Sequence, residues 1–237
     1  MVVNQIRQLL EEKSARHNAE LERLGKQAEV EPFSERIEFM ERKPQVEAMS
    51  TILRNPSTEQ VEFVFHMDRL AALLVVKALD SHQYLPHRVS TPQNAIYHGL
   101  RSAGVASAVV ILRGGSCLET GLRRTIPDCL TGRLLIQSNY RTGEPQLHFL
   151  KLVPKISSHE TILLLDSQMS SGGAALMAVR ILLDHGVAEQ KIVFVTCLAG
   201  RIGVKRLTSV FPKIRVIAGN ISDDHEERWV ERRYFGC

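Results

Sequence analysis

Residues 161–186 constrain this chain more than any other stretch. They read Thr-Ile-Leu-Leu-Leu-Asp-Ser-Gln-Met-Ser-Ser-Gly-Gly-Ala-Ala-Leu-Met-Ala-Val-Arg-Ile-Leu-Leu-Asp-His-Gly. Ile162 to Leu165 form a continuous apolar run, the pattern of a strand buried on both faces of a parallel sheet. Asp166 ends the run abruptly, where open α/β sheets gather their ligands. Ser170 and Ser171 are expected to cap the helix that follows. Gly172 and Gly173 allow a tight turn and close backbone approach. In the helix, Leu176, Val179 and Leu183 recur at three and four and are expected to face the sheet, while Arg180 and Asp184 lie one turn apart.

The free amides and dipole at the start of that helix favour an anion such as a phosphate. The same pattern also describes a capped strand–turn–helix with no ligand. Asp166 separates the two readings, because a buried carboxylate needs a partner and sugar hydroxyls would supply one. No Gly-Lys-Ser/Thr follows the glycines, so this is not a nucleoside-triphosphate loop of the Walker type.

The rest of the chain alternates in the same way. Residues 106–112, 191–198 and 214–218 read as apolar strands, and residues 118–126 and 202–211 as helices, the second stopped by Pro212. Residues 133–137 and 146–152 read as a hairpin around Thr142-Gly143-Glu144-Pro145. A long helix is expected over residues 58–80, with Asp68 and Arg69 on its surface. Residues 90–97 read as a turn around Pro92, residues 31–44 as a connector, and residues 2–25 as a charged helix closed by Gly25. The alternation predicts a mostly parallel, doubly wound α/β sheet, with residues 1–30 as a helical linker and 31–237 as one domain.

Arg113 closes the strand at 106–112 and is followed by Gly114 and Gly115. An arginine at a strand end beside two glycines is a good anion site; a surface arginine that merely ends a strand is the plainer alternative. The formal net charge of +4 over 237 residues does not announce nucleic acid, and few aromatics interleave with the basic residues. No apolar run reaches the ~20 residues of a membrane span. Cys117, Cys129, Cys197 and Cys237 show no metal-type or disulfide spacing, so a reducing, cytoplasmic setting is expected.

Residues 161–186 resemble the phosphoribosyl-pyrophosphate loop of type I phosphoribosyltransferases, and the neighbouring motifs narrow the likeness to the uracil phosphoribosyltransferase family. Val109-Val-Ile-Leu-Arg113-Gly-Gly resembles that family's strand ending in Leu-Arg-Ala-Gly. Leu135-Ile-Gln-Ser-Asn139 and Thr142-Gly-Glu-Pro-Gln-Leu-His-Phe-Leu150 resemble its hairpin, and Arg233-Tyr-Phe-Gly236 resembles its C-terminal motif. The nearest likeness is to the phosphoribosyltransferase-like domain behind the kinase domain of eukaryotic uridine kinases, where residues 4–25 resemble the joining helix.

The resemblance implies a reaction of uracil with 5-phosphoribosyl-1-pyrophosphate, giving UMP and pyrophosphate, with magnesium carried by pyrophosphate and water. It implies Asp166 and Arg113 as the catalytic pair. It implies a phosphoribosyl-pyrophosphate site made of Arg113, Gly114, Asp166, Ser167, Gln168, Met169, Ser170, Ser171, Gly172, Gly173 and Ala174. A homodimer and a uridine kinase partner are further expectations, with no nucleic acid and no membrane.

Two departures stand out. The hairpin lacks the family's Arg-Asp-Glu run, with Ser138, Asn139 and Tyr140 in its place. The family tail reads roughly Ile-Val-Pro-Gly-Leu-Gly-Asp-Phe-Gly-Asp-Arg-Tyr-Phe-Gly, and its Gly-Asp loop grips uracil. Here the tail reads His225-Glu-Glu-Arg-Trp-Val-Glu-Arg-Arg-Tyr-Phe-Gly-Cys237, and Trp229, Glu231 and Arg232 do not replace that loop. Three outcomes therefore remain open: a transferase with altered base use, a non-catalytic module that binds the sugar phosphate or a nucleotide and regulates a uridine kinase, and a purely structural dimer partner.

Overall fold

The computed structural model describes residues 33–41, 43–139, 144–222 and 228–237. The expected helix at 2–25, the hairpin turn at 140–143 and the first residues of the tail lie outside them.

Six of the seven strands along the main path of the central sheet are parallel. In spatial order they are β1 (Ile37–Phe39), β10 (Arg215–Ser222), β9 (Ile192–Gly200), β7 (Thr161–Leu165), β4 (Ala106–Leu112) and β5 (Leu130–Ser138). β6 (Pro145–Lys151) closes the edge antiparallel to β5. The short β8 (Gln168–Met169) pairs with β9. The expected parallel sheet with a hairpin excursion is therefore the observed one.

The sheet is covered on both faces because its strands are apolar on both. Val109, Ile111, Ile162, Leu164 and Phe194 point into a core shared with α4 (Gly173–Asp184) and α5 (Arg201–Val210). Ala108, Val110, Leu163, Leu165 and Val195 point the other way. There they meet α2 (Gln60–Leu79), with α1 (Pro44–Arg54), α3 (Glu119–Thr125) and α6 (Val230–Phe235) beside it. Ile162 to Leu165 have no exposed surface, and each such side chain contributes up to about 1.5–3 kcal/mol by leaving water. Parallel neighbours end at the same edge, so β4 delivers Arg113 and β7 delivers Asp166 side by side.

Several expectations need correction. The face α4 buries is Ala175, Ala178, Val179 and Leu182, with Leu176 and Leu183 only partly covered. The apolar stripe is wider than the leucine spacing alone implied, because small alanines make the closest contacts. Arg180 and Asp184 do pair, at 3.0 Å. Asp68 is buried, not on the surface, and accepts a 2.8 Å hydrogen bond from the Tyr234 hydroxyl. The turn expected over 90–97 is narrower: residues 91–95 join a hairpin, β2 (Tyr84–Ser90) against β3 (Ile96–Ser102), which stands apart from the main sheet with its side chains largely exposed. The connector contains β1, and α1 starts at Pro44.

Candidate functional site

After Leu165 the chain does not turn straight into its helix. Asp166 N–H still donates to Val195 O at 3.1 Å, and Ser167 O then accepts from Cys197 N–H and Leu198 N–H. β8 rejoins the edge of β9. This step carries the backbone along β9 and brings residues 170–173 over the carboxyl ends of the strands.

The turn closes on Gly172, at φ 79, which is the N-cap of α4. The N-cap position expected for Ser170 or Ser171 is thus taken by a glycine, which has no side chain to cap with. A left-handed residue is needed there, and glycine supplies it without strain. The first helical bond runs from Leu176 N–H to Gly172 O, at 2.9 Å. The earlier amides of the helix precede that ladder and are available to an anion. Gly203 of α5 supports the turn from beneath: a Cβ there would collide with Ser170 O. Arg206 adds a hydrogen bond to Ser171 O at 2.8 Å. The cradle is thus fixed by backbone contacts with α5.

The expected site residues divide by what surrounds them. Gly173, Ala174, Ser170 and Ser171 lie partly open around the cradle. Arg113 is exposed at the end of β4. Gly114 sits against Asp166, close enough that a Cβ would lie 2.5 Å from Oδ1. Gln168 and Met169 point elsewhere: Met169 belongs to the core, and Gln168 is 1% exposed with its Oε1 accepting Trp229 N–H at 2.9 Å.

Asp166 is 2% exposed and already has a partner. Arg228 Nη2 lies 2.6 Å from its Oδ1. Burial raises the Asp166 carboxyl above its ordinary range, and the Arg228 guanidinium opposes that shift. The Arg228 side chain is 37% exposed, reaching in from the tail. The other end of the tail meets the second expected residue: Arg113 Nη1 donates to Cys237 Sγ at 3.5 Å.

The tail is pinned down from behind. Tyr234 is bonded to Asp68, Arg233 donates to Pro56 O at 2.9 Å, and the Trp229 ring packs edge-on against Phe63.

Arg228 was not among the residues picked out from sequence. A signal was present. The tail carries three arginines, Arg228, Arg232 and Arg233, and a buried acid such as Asp166 needs a cation beside it.

Cys117 lies near this centre, but burial pushes its thiol up to about 12, so it is a packed thiol and no nucleophile. Among the described residues no group of three or more His, Cys, Asp or Glu is arranged to hold a metal.

Comparison with known proteins adds the following. Residues 40–230 match the family described as uracil phosphoribosyltransferase. The chain is 35% identical to a uridine kinase of Saccharomyces cerevisiae, covering 100% of this chain and 50% of the kinase. It is 32% identical to a uracil phosphoribosyltransferase of Dictyostelium discoideum, over 83% of this chain and 90% of that protein. The AQ2163 protein of Aquifex aeolicus shares the fold, with a TM-score of 0.74 at 21% identity, covering 84% of this chain and 97% of that one. The chain spans between 39% and 53% of the length of the uridine kinases and uridine-cytidine kinases it matches.

Proposed function

This chain belongs to the uracil phosphoribosyltransferase family, and we infer that it binds 5-phosphoribosyl-1-pyrophosphate and transfers the phosphoribosyl group to uracil or a related pyrimidine. The observation that carries this reading is the convergence of Arg113, Asp166 and the open amides of α4 at one edge of the sheet.

In this reading a ring nitrogen of the base attacks ribose C1. The new N–C1 bond forms as the C1–O bond to pyrophosphate breaks; that electron pair leaves with the pyrophosphate, and the N–H proton of the base passes to it or to water. The chain's own groups position and neutralise; none forms a covalent intermediate. The cradle of Ser170 to Ala174 would hold the 5-phosphate. Arg113 would face the pyrophosphate, where an extended guanidinium matches paired phosphate oxygens. Asp166 would accept hydrogen bonds from the ribose hydroxyls. Positioning of this kind is a major source of rate in such displacements. Magnesium would arrive on pyrophosphate oxygens and waters rather than on a protein cage.

Arg228 on Asp166 favours a second reading, a non-catalytic module that binds the sugar phosphate or a nucleotide and regulates a uridine kinase. Turnover separates the two. UMP formed from uracil and phosphoribosyl pyrophosphate, and lost in Asp166→Asn, supports the transferase. Ligand binding with no nucleotide product from any pyrimidine leaves the module.

Buried free thiols at Cys117, Cys129 and Cys197 support a reducing, cytoplasmic setting. The detached hairpin with exposed Leu85, Val89, Ile96, Tyr97 and Leu100 supports a homodimer, which light scattering would test.

A further inference from the structure

We propose that the C-terminal tail is a latch on the phosphoribosyl site: Arg228 occupies the carboxylate that the sugar would use, and the sugar phosphate binds only when that arginine leaves. The proposal rests on the site reading given above and adds a regulatory residue to it.

Three observations carry it. First, the contact is made at the centre of the site. Arg228 Nη2 meets Asp166 Oδ1 at 2.6 Å, directly above Gly114. A Cβ on Gly114 would strike both Nη2 and Oδ1, so the guanidinium fits there only because that residue has no side chain. A hydroxyl cannot reach the same lone pair while Nη2 holds it.

Second, the arginine is poorly satisfied. It makes a single close contact to the carboxylate, where a bidentate pair would use two. Its Nε is buried with no hydrogen-bond partner. Glu231 Oε2, one turn along, is 3.9 Å from Nη2. A guanidinium left with an unpaired N–H loses part of what the ion pair gains, so the closed state is one that a ligand can outcompete.

Third, the Arg228 side chain can move while the rest of the tail stays packed. Downstream of it, Gln168 Oε1 takes the N–H groups of Trp229 and Val230, and Tyr234 is bonded to Asp68. Arg228 itself is held by side-chain contact to Asp166, and by Arg232 donating to its carbonyl. Swinging this one side chain outward uncovers Asp166 without unpacking α6. Arg113 is contacted by the same tail through Cys237, so both residues expected to meet the ligand lie under it.

The test is calorimetric titration of phosphoribosyl pyrophosphate into the full chain and two variants, Arg228→Gly and Arg228→Gln. Circular dichroism verifies that each is folded. The latch predicts that both variants bind about tenfold tighter or better, and that adding Asp166→Asn to either removes the gain. Equal or weaker binding by both folded variants overturns the latch while leaving the site reading intact, since the parent chain still binds. Binding by neither parent nor variants overturns the site reading, and the latch with it. If Arg228→Gly does not fold, Arg228→Gln, which keeps an unbranched polar side chain without the charge, decides alone.

Discussion

The two halves of the candidate site are built differently. The cradle half, from Asp166 to Ala174 with Arg113, is made of backbone. Its glycine at φ 79, the step along β9 and the contact between Gly203 and Ser170 O are also what join α4 to α5. The tail half, from Arg228 to Cys237, is made of side chains laid over α2 and the strand ends. A turn that doubles as a structural joint cannot change without cost to the fold. A tail held by side chains can change its chemistry and still pack. That contrast makes the turn before α4 the fixed half of the candidate site and the tail the changeable one.

The largest expected effect lies in the cradle. Gly203→Ala drives a methyl into a fixed carbonyl, so it should cost about 3 kcal/mol, near the upper end for overpacking. Urea unfolding measures it. A loss under about 0.5 kcal/mol would mean that the turn yields easily, and the contrast between the halves would fail.

A smaller effect, of opposite character, is expected in the tail. Arg228→Gln leaves Asp166 buried without its cation, which should cost about 2 kcal/mol at pH 7. Burial alone then holds the Asp166 pKa above its ordinary 3.8. A carboxyl raised in the folded state binds more protons folded than unfolded between those two values, so acidification relieves the penalty. The deficit relative to the parent chain should therefore shrink as pH falls from 7 towards 4. A deficit that grows with acid would contradict the pairing.

The smallest effect sits outside both halves. His159 is buried at the foot of the sheet, 2.9 Å from Ser107 Oγ, and desolvation, then Lys191, lowers its pKa below 6.5. For a histidine depressed on folding, the unfolded chain takes up the proton first. Stability is complete above 6.5 and is lost as pH falls through the folded value. His159→Asn should flatten this part of the pH profile while leaving the Arg228 effect unchanged. Parallel profiles for the parent and the His159 variant would show that the proton is taken up elsewhere.

Sequence and structure agree where burial leaves a periodic trace. The strands at 106–112 and 161–165, the hairpin at 130–151 and the helix after Gly173 all carry continuous or alternating apolar runs, and each is present. The β2–β3 hairpin escaped because exposed residues on both faces leave no alternation to read. β1 escaped because it is only three residues long. The Asp166–Arg228 pair spans 62 positions, and nothing local in either segment announces it. The need for a cation beside a buried acid was readable; which of the tail's arginines supplies it was a matter of packing.

The central claim is that the amides of the cradle hold the phosphate of a pentose beside Asp166. The most direct measurement is the amide spectrum of the 15N-labelled Arg228→Gln protein during titration with phosphoribosyl pyrophosphate. The account predicts saturable shifts concentrated at residues 170–175 and at Gly114, abolished by adding Asp166→Asn. Shifts that are absent at millimolar ligand, or that cluster away from the turn before α4, would contradict it.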